Sequence, residues 1–316
     1  MKELFEQIKS LKFLVIGDVM LDRYVIGDVS RISPEAPVPV LTVQEEKSVA
    51  GGASNVALNL RSLGSSVETI GWFGEDQKGN ELVEILRTAN VNVDTNFRLP
   101  SAPTTRKSRG TASNQQICRV DREAHMADYS PDLGVLGDLL MPKIKAADAV
   151  IISDYGKGFV TNELLEIVSD HARFVAIDPK PSRLLKYSSP DLLTPNQFEA
   201  LELAGLSKET RSPFQQIEVV DRIFERFAPK MLAITLGSKG MLLAKDGKIT
   251  STIPTAAREV FDVSGAGDTV IASLTMALVS GESFEHSAEF ANLAAGVVVG
   301  KVGTATASPY EILNHL

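Results

Sequence analysis

Asp262-Val263-Ser264-Gly265-Ala266-Gly267-Asp268-Thr269 opens an apolar helical stretch and combines the parts needed to handle an anion. Gly265, Ala266 and Gly267 let the backbone come close to a ligand, and the free N–H groups of a helix N-terminus form an anion site. Asp268 falls in the first turn, where the helix dipole favours its ionised form. A carboxylate there stands beside a bound phosphoryl group and can accept a proton from an attacking hydroxyl. That chemistry suits phosphoryl transfer to an alcohol. A glycine-rich turn with an acidic residue is equally a plain helix cap.

A second cluster is Thr194-Pro195-Asn196-Gln197-Phe198-Glu199. Asn followed three residues later by Glu makes a capping box. At the carboxyl end of a strand, Asn196 and Glu199 also suit a water-mediated Mg²⁺ site near nucleotide phosphates. Thr235-Leu236-Gly237-Ser238-Lys239-Gly240 joins a strand to a hairpin through two glycines, either as a simple turn or as a backbone approach to an adenine nucleotide.

Nearer the N-terminus, Asp18 and Asp22 follow the first strand, and Gly51-Gly52-Ala53-Ser54-Asn55 opens a helix. Ligands of open α/β sheets bind beyond the carboxyl ends of the strands, which is the side these groups occupy and the side on which sugar hydroxyls would be held. Solvated turns are the bland alternative. Lys107, Arg109 and Arg119 punctuate two strand-like segments, and the spacing of two puts Lys107 and Arg109 on one face. Such a pair can clamp a phosphate or simply protect a sheet edge from aggregation. The four histidines, at 125, 171, 286 and 315, lack a metal-ligand or triad partner in sequence and carry no role. Cys118 reads as a packed thiol rather than a nucleophile.

Short β-rich apolar runs alternate with helical patterns along the chain, the signature of a doubly wound, mostly parallel sheet flanked by helices. Strands are expected at 11–17, 67–71, 149–153, 174–177, 192–193 and 231–235, with a hairpin around Asp246-Gly247. Helices are expected at 53–63, 79–89, 133–146, 163–171, 197–204, 213–227, 266–279 and 285–299. Two stretches, 23–46 and 96–122, show strand alternation and turn residues but no helical pattern. Structureless loops of that length are uncommon. They predict a small β-sheet lid inserted twice into one domain spanning 1–316.

The 316 residues include 32 Lys plus Arg against 40 Asp plus Glu, a net charge of −8 that argues against a nucleic-acid partner. Apolar residues make up 44% and charged residues 23%, which suits a globular core rather than disorder. One cysteine forms no internal disulfide framework, and the N-terminus lacks a secretory pattern, so a cytoplasmic protein with no membrane partner is expected.

The ordered motifs Gly51-Gly52 with Asn55, Asn196 to Glu199 and Asp262 to Asp268 resemble the ribokinase-like (PfkB) sugar kinases over essentially the whole chain. Ser30 to Val40, Asn114-Gln115-Gln116, Ser153-Asp154-Tyr155 with Lys157-Gly158, Asp178-Pro179-Lys180 and Gly300 to Thr304 are similar to the subgroup acting on heptose 7-phosphates in ADP-heptose synthesis. The resemblance implies Asp268 as catalytic base and Gly265, Ala266 and Gly267 as the anion hole. It implies Lys180, Asn196, Glu199, Thr235, Gly237, Ser238 and Gly240 on the ATP side, with Glu199 meeting Mg²⁺ through water. It implies Asp18, Asp22, Gly51, Gly52, Asn55, Gln116, Asp154 and Lys157 around the sugar, and Lys107, Arg109 and Arg119 at its phosphate. A monovalent cation such as K⁺ and a homodimer paired through the lid belong to the same expectation. In many bacteria the heptose kinase is fused to a C-terminal nucleotidyltransferase, whereas this sequence ends at Leu316, which implies the stand-alone form. The alternatives are another ribokinase-like sugar or nucleoside kinase, or a non-catalytic sugar-binding relative.

Overall fold

The computed structural model describes residues 1–316 except 95, 114, 182–184, 207–213, 302 and 316. Asn114, the Pro213 start of the expected long helix, Val302 and Leu316 thus lie outside the described residues. In chain order the elements are α1 (Lys2–Ile8), β1 (Lys12–Gly17), β2 (Val19–Ile32), β3 (Pro39–Gly52), α2 (Ala53–Ser62), β4 (Ser66–Ile70), β5 (Phe73–Gly74), α3 (Gln77–Thr88), β6 (Asn92–Val93), β7 (Arg98–Leu99), β8 (Arg106–Ala112) and β9 (Gln115–Arg122). There follow α4 (Leu133–Ala146), β10 (Ala149–Ser153), α5 (Asn162–His171), β11 (Val175–Asp178), β12 (Leu192–Leu193), α6 (Gln197–Leu203), α7 (Gln216–Phe227), β13 (Met231–Thr235), β14 (Met241–Lys245), β15 (Lys248–Ile253), α8 (Ala266–Val279), α9 (Phe284–Val299) and α10 (Pro309–His315).

Nine strands form the main sheet in the order β15-β14-β13-β12-β11-β10-β1-β4-β6, parallel from β13 to β6 and antiparallel only at the β14–β15 end. Parallel strands covered on both faces need apolar side chains at successive positions. β1 meets that demand: Phe13 and Val15 face a core shared with α1, α2, α8 and α9, while Leu14 and Ile16 face one shared with α4, α5 and α7. Each such buried side chain stabilises the fold by roughly 1.5–3 kcal/mol. The mostly parallel sheet flanked by helices that the sequence pattern predicts is the arrangement observed.

The small sheet runs β3-β2-β8-β9. Its strands are longer at one end than the sequence pattern indicates, because the β2–β3 ladder continues to the Val19↔Gly52 pair. The second stretch is shorter than expected: Arg98–Leu99 leaves the lid to pair with Phe73–Gly74, and the lid strands start at Arg106. Only Asp18 separates β1 from β2. The lid therefore grows directly from the central strand, so Asp18 and Asp22 sit at its root. Cys118, expected to pack, is exposed, as is every residue of the edge strand β9.

Candidate active site

Asp268 is 3% exposed in the first turn of α8. Asn55 Nδ2 donates to its Oδ2 at 2.7 Å, and the Tyr155 hydroxyl donates to its Oδ1 at 2.8 Å. Burial pushes the carboxyl up to about 6, against the two hydrogen bonds, with Asp22 raising it further and Lys107 lowering it. A base poised near neutrality matches what proton abstraction from a hydroxyl requires. Asn55 is itself braced: Asn59 Nδ2 donates to its carbonyl at 2.9 Å, and Thr269 donates to Asn59 Oδ1 at 2.9 Å.

Gly265 caps α8 with a left-handed φ of +79°, and a Cβ there would lie 2.7 Å from Asn55 Nδ2. Glycine is what lets Asn55 reach the carboxylate. Asp262 holds the approach by accepting from Ser264 N at 2.8 Å and Gly303 N at 3.0 Å. Ala266 departs from the expected anion hole, because its N–H closes a turn onto the Val263 carbonyl at 3.2 Å. Among the described residues, the N–H groups of Gly265, Gly267 and Asp268 donate to no protein acceptor, and this trio is the one available to an anion.

The lid supplies cations. Lys107 and Arg109 lie two apart on β8, and Arg109 is directly opposite Arg119 on β9, so all three share a face. Arg109 donates to Asp22 at 2.8 Å and stacks over Tyr24, 5.4 Å from its ring centre. Burial works against the Arg109 charge, but Asp22 outweighs it and holds the guanidinium protonated. Arg119 pairs with Asp121 at 2.6 Å and Lys157 with Glu123 at 2.5 Å. Lys107 has no carboxylate within ion-pair distance among the described residues and sits 5.1 Å above the Tyr155 ring. Burial lowers its pKa, with Lys157, Arg109 and Arg119 adding and Asp22 opposing. With the other three cations paired to carboxylates, the unneutralised positive charge of this face is concentrated at Lys107, where an anion would be drawn.

Asp18, placed beside a sugar by the family resemblance, is 4% exposed and accepts backbone N–H groups from Tyr155, Lys157 and Phe159 at 2.9, 2.9 and 3.1 Å. Its carboxylate shapes the loop after β10. Asp154 does similar work, accepting from Gly156 N and the Tyr187 hydroxyl, both at 2.7 Å. Gly51 and Gly52 have a packing reason, since a Cβ at Gly51 would lie 2.4 Å from Asp22 Oδ2 and one at Gly52 2.4 Å from the Asp18 carbonyl. Gln116 is exposed on β9, paired in register with Thr111 of β8.

On the other side of the strand ends, Asn196 and Glu199 form the reciprocal capping box of α6, and Lys180 Nζ is 3.2 Å from Glu199 Oε1. Burial pushes the Asp178 carboxyl well above its usual range, with Glu199 and Asp268 adding and Lys180 opposing. Thr235 N donates to the Pro195 carbonyl at 3.0 Å, which brings the 235–240 turn beside that box. Gly240 is fixed by packing, as a Cβ there would lie 1.9 Å from the Ile253 carbonyl, whereas Gly237 and Ser238 are exposed. Among the described residues no group of three or more His, Cys, Asp or Glu is placed to hold a metal ion, and no helix is long and apolar enough to cross a membrane.

Reading residues alone gave no role to Tyr155, Asp178 or Tyr24. The usable signal for Tyr24 was its spacing of two from Asp22 on one strand; for Tyr155 it was the position between Asp154 and Lys157.

Residues 10–311 match the pfkB family carbohydrate kinase profile. The bifunctional protein HldE of Sulfurimonas denitrificans is 42% identical over 305 residues, which is 95% of this chain and 63% of that protein. The chain thus spans less than two thirds of that relative. Arabidopsis thaliana ribokinase complexed with ribose and ATP superimposes with a TM-score of 0.78 and 23% identity, over 97% of this chain and 98% of its own. Phosphofructokinase-2 from Escherichia coli in complex with potassium does so with a TM-score of 0.80 and 19% identity, over 96% and 97%. These two likenesses show the shared fold. The family match runs through every element that brings a hydrogen-bond partner to Asp268, and the chain belongs to the pfkB family of carbohydrate kinases.

Proposed function

We propose that this sugar kinase transfers the γ-phosphoryl group of ATP to the anomeric hydroxyl of D-glycero-β-D-manno-heptose 7-phosphate, giving the 1,7-bisphosphate. The step belongs to ADP-heptose synthesis, which supplies the lipopolysaccharide core. The observation that carries the reading is the buried Asp268 carboxylate, pushed up to about 6, in a helix first turn with partner-free N–H groups and under the influence of the Lys107 charge on the lid.

Asp268 takes the proton of the anomeric hydroxyl as its oxygen bonds to the γ-phosphorus and the bond to the β-phosphate oxygen breaks, releasing ADP. The N–H groups of Gly265, Gly267 and Asp268 receive the charge on the moving phosphoryl oxygens. Lys107, with Arg109 and Arg119 behind it, meets the distant sugar phosphate. Asp22 is held by Arg109 at the sugar side, and Asp18 and Asp154 hold the loop that carries Tyr155 and Lys157. Positioning and electrostatics supply most of the acceleration in such a transfer.

Mg²⁺ carried in on the nucleotide phosphates, and met by Glu199 through water, is part of the reading. Burial, then the Glu199 and Asp268 charges, raise the proton affinity of Asp178, a repulsion that a hydrated cation relieves, and Glu199 already spends one oxygen on its cap. When bound, that ion supplies charge neutralisation at the phosphates. Lys180, Asn196 and the exposed turn at Gly237 and Ser238 stand on the nucleotide side. A monovalent cation such as K⁺ is part of the reading, as a fold neighbour was solved with potassium. So is a cytoplasmic homodimer closed through the lid, whose Ile32, Val38, Val43 and Val120 side chains are exposed and apolar.

An ADP-release assay across sugars and sugar phosphates, with phosphorus NMR of the product, tests the proposal. Turnover confined to a heptose 7-phosphate, with a new anomeric phosphate signal, is the expected result. Preference for an unphosphorylated sugar or a nucleoside would overturn it.

A further inference from the structure

We infer that Tyr155 is a positioning residue that ties the catalytic carboxylate to the phosphate-facing lysine: its hydroxyl fixes one oxygen of Asp268 while its ring carries the ammonium of Lys107. The inference rests on Asp268 being the base.

A carboxylate turns easily about its last torsion, where wells are broad. Two neutral donors, Asn55 on Oδ2 and Tyr155 on Oδ1, remove that freedom. Each oxygen keeps a second lone-pair site, so a substrate hydroxyl can still be received. Tyr155 is itself anchored, since its N–H is bound by Asp18 at 2.9 Å in the loop that leaves β10. Burial, with the nearby Asp268, Asp178 and Asp22 charges, pushes its phenol well above 10, so it stays a donor and never competes as a base. The Lys107 Nζ lies 5.1 Å from the ring centre, within cation–π range. One side chain therefore spans the distance between the base and the cation that meets the sugar phosphate. The charged groups acting on Asp268 are Asp22 and Lys107, and Asp178 in turn feels the Asp268 charge; Tyr155 and Asn55 are its hydrogen-bond donors.

The two functions separate by substitution. Tyr155→Phe keeps the ring and loses the donor. We expect kcat to fall by about tenfold at neutral pH, the acid limb of the kcat profile to move up by about one pH unit, and KM for the phosphorylated sugar to hold within about twofold. Tyr155→Leu removes the ring as well and should raise that KM by about tenfold. If Tyr155→Phe folds poorly, wild-type protein made with 3-fluorotyrosine, a stronger hydrogen-bond donor, should show the acid limb moved down instead. An unshifted acid limb in either preparation, or equal KM changes in the Phe and Leu variants, would overturn the inference. Asp268→Asn serves as the separate control: if it retains turnover, the base assignment fails, whereas its inactivity beside an unaltered Tyr155→Phe enzyme removes only the role of Tyr155.

Discussion

Asn55 and Asp268 stand 213 positions apart in the chain, yet the amide of one donates to the carboxylate of the other across 2.7 Å in a buried site. Both residues sit near the N-terminus of a helix, α2 and α8, and those helices pack together on one face of the main sheet. The contact exists because Gly265 has no side chain to intervene. It keeps an anionic carboxylate oriented where burial alone would favour its protonated form.

Asp268→Asn should lower kcat by on the order of a hundredfold or more while leaving ATP affinity nearly unchanged, the range for one positioned acid or base. Steady-state kinetics with a nucleotide-binding measurement checks it. An enzyme with near wild-type turnover would remove the proton-transfer role.

With its carboxyl at about 6, Asp268 is the active anion above that pH and the inactive acid below it. The profile of kcat should therefore fall about tenfold per unit on the acid side of 6. Stability runs the other way. The folded state binds this proton more tightly than the unfolded chain, whose Asp titrates near 3.8, so the contribution is favourable below 3.8 and lost as pH rises through 6. Urea midpoints should show Asp268→Asn more stable than wild type at pH 8, by on the order of 2–3 kcal/mol, and the advantage should shrink towards pH 4.

Lys107 and Arg109 share a face but should fail differently. Arg109 and Asp22 form a largely buried pair, with side chains 16% and 6% exposed. Arg109→Met strands the Asp22 charge and should destabilise the protein by about 3 kcal/mol, with Asp22→Asn in the same chain restoring part of the loss. Lys107→Met breaks no ion pair. It should leave the urea midpoint in place and raise KM for a phosphorylated sugar by at least about tenfold, with little effect on a neutral one.

Much of this arrangement is legible in the sequence. β10, β13, α4 and α8 have the bounds that periodicity gives, because each begins and ends at a change from apolar pattern to turn residues. The lid root is harder. From Phe13 to Ile26 apolar, β-prone residues are interrupted at Gly17-Asp18 and again at Asp22-Arg23, and the pattern alone does not say at which break one strand leaves the main sheet and the next enters the lid. Asp268 and Asn55 stand out because glycines flank them. Tyr155 does not: its partner is 113 residues away, and no local pattern encodes where a phenol ends. Asp18 and Asp22 are legible as carboxylates just past the first strand, but spacing does not encode the loop N–H groups that Asp18 accepts or the guanidinium that Asp22 holds.

Gly267 gives the sharpest separation of ligand from scaffold. An added Cβ there would meet nothing within 4 Å, and the residue is in the first turn of α8 with no positive φ. Alanine at a helical position should therefore stabilise the free protein, by about 0.5–1 kcal/mol. Any space reserved at that point is reserved for something outside the chain. If the neighbouring N–H groups receive the transferred phosphoryl group, Gly267→Ala should raise the urea midpoint and at the same time cut kcat by about tenfold or more, because the methyl group occupies ground that the phosphoryl oxygens must enter. Gly265→Ala, by contrast, forces a Cβ to 2.7 Å from Asn55 Nδ2 at a φ of +79° and should lose stability and turnover together. Unchanged turnover in a folded Gly267→Ala enzyme would place the moving phosphoryl group elsewhere.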